Sequence, residues 1–343
     1  MRCINPARRA WTARRARAQR GAALLMAMLT VALVATFATA ALWQQWRGVE
    51  VETAERARVQ SAWILTGALD WARLLLREDA RPSGSRVDHL AEPWAVPLQE
   101  ARLSSFLAAD KNNNADTGPE VMEAFLSGQI IDQQSLLNVN NLVLGGKISE
   151  PDKMAFIRLF ELLGLQASEL EKMTENLRFA TDASENARTA IPQAPIRPQK
   201  IEQLAWLGLS PATISALQPY VTLLPARVPV NLNTASAEVI YAIAPRLSMS
   251  DAQGLVSARE QAHFRSVAAV ADLLGGAEKL PEGEGVDVKS QFFEVRSRLR
   301  LENLVVEERA ILRRVAGSFE VSVIQRERGI ADPTALSQLA AKR

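Results

Sequence analysis

Residues 22–41 read AALLMAMLTVALVATFATAA, without one charged side chain, and the uncharged run extends from Gly21 to Trp46. At about 1.5 Å per residue, roughly 20 helical residues cross the hydrocarbon core of a bilayer. The flanks set an orientation. Arg2, Arg8, Arg9, Arg14, Arg15, Arg17 and Arg20 precede the run with no acid among them, and Glu50, Glu52 and Glu55 follow it. By the positive-inside rule the N-terminus is cytoplasmic and the body lies across the membrane. Trp43 and Trp46 stand where an interfacial aromatic belt would lie.

The whole chain of 343 residues carries 40 Lys+Arg and 38 Asp+Glu, a formal +2. Removing the seven leading arginines leaves 33 basic against 38 acidic side chains, a body of −5. Phosphate neutralisation needs the opposite balance, so no nucleic-acid partner is expected of the body as a whole. A single cysteine, Cys3, excludes an intrachain disulfide and a Cys-based zinc cage. His89 and His263 are the only imidazoles, which leaves little for His-dependent catalysis. No catalytic residue, cofactor-binding residue or metal ligand is assigned.

Three readings fit the apolar run. A secretory signal peptide would be cut after it, at Ala38-Thr39-Ala40. An uncut signal anchor needs nothing more than the run itself. A prepilin-type leader would be cut before it, between Gly21 and Ala22, where Gly lets the scissile bond enter a protease site. The residues beyond the run favour the prepilin leader. Ala62, Leu65, Leu69, Ala72 and Leu76 recur at helical spacing with no proline before Pro82-Ser83-Gly84. Residues 22–79 therefore read as one helix, apolar all round in its first half and amphipathic in its second.

Beyond it, residues 98–285 read as short helices joined by polar turns. Ser149 with Asp152 and Ser248 with Asp251 have capping-box spacing, Ser210-Pro211 places Pro at a first helical position, and Thr234 caps Ala235–Ile243. Leu137-Asn138-Val139-Asn140 and Val230-Asn231-Leu232-Asn233 echo each other, which suggests two related helical subdomains with the Asn side chains fixing a turn before each helix. After Gly285 the period changes to two. Phe292–Leu301, Val305–Leu312 and Phe319–Ile324 read as an antiparallel meander, with Arg313, Arg314, Arg326 and Arg328 as solvated strand-end charges. Trp63 and Trp206 are assigned to packing alone.

In its motifs the chain resembles the type II secretion system protein K family. They are Asp70-Trp71-Ala72-Arg73, Val87-Asp88-His89-Leu90-Ala91-Glu92-Pro93-Trp94, Phe125–Asp132, Leu137–Leu142, Val230–Ala235 and Ser290–Val295. The resemblance implies an α+β fold: a pilin-like N-terminal helix on a small antiparallel sheet, with an inserted all-α domain of two SAM-like modules. The implied division is leader 1–21, transmembrane helix 22–46, amphipathic helix and start of the pilin-like domain 47–105, first helical subdomain 106–225, second 226–285, C-terminal strands 286–330 and tail 331–343. It further implies prepilin-peptidase cleavage between Gly21 and Ala22, inner-membrane insertion, assembly with pseudopilins I and J at the pseudopilus tip, contact with exoprotein cargo, and no catalysis. Most pilins carry Glu at the fifth mature position. Here that position is Met26, which resembles the K members and suits a subunit with none above it.

Family members carry an Asp-Trp-x-Asp loop associated with calcium. This chain has Arg178-Phe179-Ala180-Thr181-Asp182 instead and lacks the family's cysteine pair, so no calcium is expected there. Asp110–Glu120 imitates an EF-hand loop but has Ala115 at position six and Val121 at position twelve, and reads as a solvated turn. Asn231–Leu274 also resembles a helix-hairpin-helix module of DNA-uptake proteins, although its hairpin, Ala244-Pro245-Arg246-Leu247-Ser248, lacks glycine. A membrane-anchored DNA-binding protein and an exported hydrolase with an ordinary signal peptide are the alternatives.

Overall fold

The computed structural model describes residues 7–80, 87–103, 124–181, 195–281, 283, 285–301, 304–315 and 320–330, with side chains from residue 22 onward. Cys3, Pro82-Ser83-Gly84, Asp110–Glu120, most of the 186–200 linker and the 331–343 tail lie outside the described residues. The chain divides into two units, residues 1–63 and 64–343. Helix α1 (Ala7–Asp79) is continuous, and Gly21 and Ala22 lie within it. In the first unit its apolar side chains from Leu24 to Trp46 are exposed. In the second unit Leu65, Leu69, Ala72 and Leu76 are buried at spacings of four, three and four, the single stripe of an amphipathic helix.

That stripe covers a five-stranded antiparallel sheet. In spatial order its strands are β1 (Leu98–Arg102), β2 (Ala124–Asp132), β9 (Phe292–Leu301), β10 (Leu304–Arg314) and β11 (Val321–Ile330). Leu69, Ala72 and Leu76 meet Trp94, Ile130, Phe293, Val295, Ala310, Leu312 and Val321 in one apolar cluster. The Arg73 Nε donates to the Val321 carbonyl at 3.0 Å, which fixes the helix against the edge strand.

Two of the five strands correct the expectation that residues 98–285 are helical. The boundary at 106 placed residues 124–132 in the first helical subdomain, yet β2 is the second strand of the sheet, paired along its whole length with β9. Its inward side carries Ala124, Leu126, Gly128, Ile130 and Asp132, so one of the five is an acid. Its outward side carries Phe125, covered by the guanidinium groups of Arg102 and Arg300. Polar and apolar residues on both faces erase the period-two signal. Gly128 is needed for close approach, because a Cβ there would lie 3.0 Å from the Arg296 carbonyl oxygen. Gly128→Val is expected to cost about 1–3 kcal/mol as overpacking, read as a lower urea midpoint with unchanged slope.

Between β2 and β9 the chain builds two helical modules. The first opens with β3 (Leu137–Asn138) and the hairpin of β4 (Val143–Leu144) and β5 (Lys147–Ile148). Helices α2 (Glu150–Leu162), α3 (Ala167–Thr181) and α4 (Pro211–Leu217) come next, and β6 (Val221–Thr222) ends it by pairing parallel with β3. The second runs from β7 (Val230–Asn231) through α5 (Ala237–Ile243), α6 (Met249–Gln261) and α7 (Val267–Leu274) to β8 (Val286–Asp287), which pairs parallel with β7. The Asn-x-Asn echo thus marks two modules, each closed by a two-residue parallel ladder between its first and last strands.

Ser210 caps α4 and the Ser248–Asp251 box caps α6. Ser149 turns its hydroxyl to Asp152 rather than to a helix N–H. The α5 cap is Ser236, not Thr234, whose hydroxyl goes elsewhere. Trp63 and Trp206 do not pack: they are 73% and 47% exposed.

Candidate functional site

In the first unit, α1 carries a strongly apolar stretch, with a mean hydropathy of 2.2. Its threonines add no free polar groups. Thr30, Thr36 and Thr39 donate their hydroxyls to the carbonyls of Ala27, Leu33 and Ala35 at 2.8–2.9 Å. The helical backbone and these hydroxyls are therefore satisfied inside the helix, the condition for a span in lipid. The helix is long and apolar enough to cross a membrane. Met26 sits on it, exposed like its neighbours.

In the second unit four of the six motifs that carry the family resemblance, 87–94, 125–132, 230–235 and 290–295, converge on one buried polar hub. Arg314, the last residue of β10, has no exposed surface. Its Nη1 donates to Asp79 at 2.7 Å, and its Nη2 donates to Asp88 and, at 2.8 Å, to the Ser290 carbonyl. Its guanidinium also lies 4.8 Å from the Phe293 ring centroid. The expectation of a solvated strand-end charge is corrected here: the strand runs into the end of α1, and only a cation satisfies two acids there. Arg326 and Arg328 stay exposed, as expected, and also pair with the buried carboxylate of Glu308.

Asp132 is the second centre. Its Oδ2 accepts from the hydroxyls of Ser290 and Thr234 at 2.6 Å each and from the Asn231 side-chain amide at 3.0 Å, while Oδ1 accepts from the Gln134 N–H. Asn231, fully buried, also donates to the Asp88 carbonyl and Ser290 Oγ, and its Oδ1 accepts the Asn233 N–H at 2.9 Å. Burial pushes the Asp132 carboxyl up to about 6 despite these donors. Glu92 is pushed up to about 7, first by burial, while it accepts from the His89 N–H and the Trp94 indole N–H. Asp79, Asp88 and Glu92 have carboxylate oxygens within 4.8 Å of one another, and Arg314 supplies the counter-charge.

The echo is chemical as well as topological. In the first module, Asn138 Oδ1 accepts the N–H of Asn140 and of Leu224, and its amide donates to the Ala226 carbonyl. Asn141 donates to the Val228 carbonyl. In the second module, Asn233 donates to the carbonyl of Phe264 and accepts its N–H. A chain from Thr222 through Gln133 to Glu294 ties the first module to β9.

The stretch that resembles a DNA-binding hairpin is occupied by its own chain. Arg158 donates to the carbonyls of Tyr241, Pro245 and Leu247 at 2.9–3.0 Å, holding the 244–248 turn. Arg259 donates to the carbonyls of Leu232 and Ala235, and Arg246 to that of Glu278. Arg246 and Arg259, two of the three arginines of 231–274, thus engage backbone oxygens of this module.

The hub's hydroxyls donate to a carboxylate, and its cation bridges two acids. This arrangement immobilises chain segments. Sequence reasoning took Arg314 for a solvated charge and gave Asp79, Asp88, Asp132 and Ser290 no individual role. The available signal was a charge in an apolar setting, such as Asp132 at the inward end of β2.

Residues 135–226 and 230–289, which span the two helical modules, each match the family described as type II secretion system (T2SS), protein K. A type II secretion system protein K of Pseudomonas aeruginosa is 28% identical, over 73% of this chain and 75% of its own length. Those of Pectobacterium carotovorum and Klebsiella pneumoniae are 26% and 27% identical, over 91% of this chain and 97% of theirs. The fold is similar to a chain in the crystal structure of the GspK-GspI-GspJ complex from the enterotoxigenic Escherichia coli type 2 secretion system. The TM-score is 0.60 at 17% identity, covering 81% of this chain and 99% of that one. With an apolar helix long enough to cross a membrane, a small antiparallel sheet and two family-matched modules bolted to it by a buried hub, the chain is similar over most of its length to the type II secretion system protein K family.

Proposed function

We propose that the protein works as a minor pseudopilin at the tip of the type II secretion pseudopilus, taking part in export of folded proteins across the outer membrane. The observation that carries this is the combination of an apolar helix able to cross a membrane with a pilin-like sheet bearing both family-matched modules. In this reading a prepilin peptidase cuts between Gly21 and Ala22, removing the seven arginines after they have set orientation. The chain then spans the inner membrane once, with its N-terminus cytoplasmic and its body periplasmic. Partners I and J, those of the similar complex, pack beside it, and cargo meets the tip. Met26 in place of Glu leaves no carboxylate for the terminal ammonium of a subunit above, an expensive omission anywhere but at the end of a fibre. The protein is a substrate of an enzyme and carries out no catalysis itself, nor does it hold calcium or another cofactor.

The test is the intact mass of the chain recovered from secreting cells, with co-purification of I and J. A start at Ala22 and recovery of both partners are expected. A start at Ala41 would overturn the pseudopilin reading in favour of an exported protein with an ordinary signal peptide. An uncut chain that binds duplex DNA at physiological salt would instead support the DNA-binding alternative.

A further inference from the structure

The protein's two histidines come from segments 174 positions apart, yet their rings lie face to face, with centroids 3.8 Å apart and planes 7° from parallel. His89 belongs to the loop that comes after α1. That loop is anchored at both ends, by Asp88 on Arg314 and by Trp94 packed edge-on against Phe293. His263 belongs to the link between α6 and α7 and is exposed, and the next residue, Phe264, is held by Asn233. We propose that the His89–His263 stack is an acid-sensitive clip joining the pilin-like unit's first loop to the second helical module. It closes when the rings are neutral and is loosened when both carry a proton.

The physics is that of two like charges at contact distance. Neutral imidazoles stack without electrostatic cost, a single proton is tolerated, and a second places two cations face to face. The charged groups around His89 determine whether that repulsion is relieved. Asp79 approaches from α1, Asp88 and Glu92 from its own loop, and Arg314 from β10 through its bonds to Asp79 and Asp88. The nearest carboxylate oxygen is Glu92 Oε1, 4.0 Å from the His89 Nε2. Asp79 and Asp88, although shared with Arg314, favour the protonated His89 ring, and Glu92 holds the carboxylate within 4.0 Å of its Nε2.

Burial, followed by the charge of His263, holds His89 below its usual range. The folded state therefore prefers the neutral ring. This contribution is complete above the unfolded value of 6.5 and is lost as pH falls below it. Glu92 works in the other sense. Pushed up to about 7, it favours the folded state when protonated and loses that contribution as pH rises from 4.5 through 7. On acidification Glu92 thus neutralises first, and the acids that still favour a charged His89 ring, Asp79 and Asp88, are the ones already engaged by Arg314.

The experiment uses the full chain in detergent micelles. Imidazole titration is followed by NMR on 13C-histidine label from pH 8 to 5 for the wild type, His89→Gln and His263→Gln. Amide exchange near Phe264, corrected for its intrinsic pH dependence, is measured in the same samples. The expected result is that the second proton binds the wild type about tenfold or more weakly than either single-histidine variant binds its own. Exchange near Phe264 is expected to rise at the acid end in the wild type and to stay flat in His263→Gln. Independent titration of the two rings overturns the pair, and coupled titration with unchanged exchange overturns the clip.

Discussion

Arg314→Met is expected to destabilise the protein by about 3–5 kcal/mol, the range for breaking a buried ion pair by removing one partner. Two acids, Asp79 and Asp88, share this one cation, and the Ser290 carbonyl takes another of its protons. Methionine matches the stem and keeps the contact with Phe293, so the loss isolates the charge rather than the volume. It leaves Asp88, 1% exposed, with no cation. Arg314→Lys keeps the charge on a single ammonium that cannot fork between the two acids, and should fall between Met and wild type. Chemical denaturation in detergent, followed by near-UV dichroism of Trp94 against Phe293, reads both. A loss below about 1 kcal/mol for the Met variant would mean that Arg314 does not hold the hub together.

The second large effect is expected at Asn231. Asn231→Leu is nearly isosteric and removes donors to Asp132, Ser290 and the Asp88 carbonyl, together with the acceptor of the Asn233 N–H. Each buried group left unpaired costs about 1–3 kcal/mol, more where it is charged, so a total of roughly 3–5 kcal/mol is expected. Asn138→Leu, the equivalent change in the first module, strips the Leu224 N–H and the Ala226 carbonyl but no carboxylate. It should cost less. Parallel urea titrations decide, and equal losses would show that the Asp132 contact adds nothing to the echo.

Asn231 and Asn138 fall in motifs whose importance could be seen before their role, whereas Arg314 falls in none. Val230–Ala235 and Ser290–Val295 were recognisable as patterns, and so was the Asn-x-Asn repeat. Asn side chains bond to the backbone two residues ahead, as Asn138 and Asn231 do, and that local habit is written in composition. The caps at Ser210 and Ser248 were legible for the same reason, since a cap needs only residues within one turn. Thr234 is not the cap because α5 starts at Ala237, behind Ser236, and its hydroxyl donates instead to Asp132, 102 residues away in sequence and beside it in space. β2 was missed because Arg300 and Arg102 cover its outward Phe125 and the hub takes its inward Asp132.

Sequence by itself determined the elements whose causes are local: the uncharged run and its flanking arginines, the amphipathic stripe of α1, the alternating strands after Gly285 and the paired Asn motifs. Hydropathy, helical period and capping act over a few residues and need no partner from elsewhere. Only the tertiary structure decided that Arg314 is buried, that it reaches an acid 235 positions away, and that the two histidines stack. A charge is solvated or buried according to what the rest of the chain brings to it. The same Arg-Arg pair at the end of β10 sends one side chain out over Phe292 and the other into the hub.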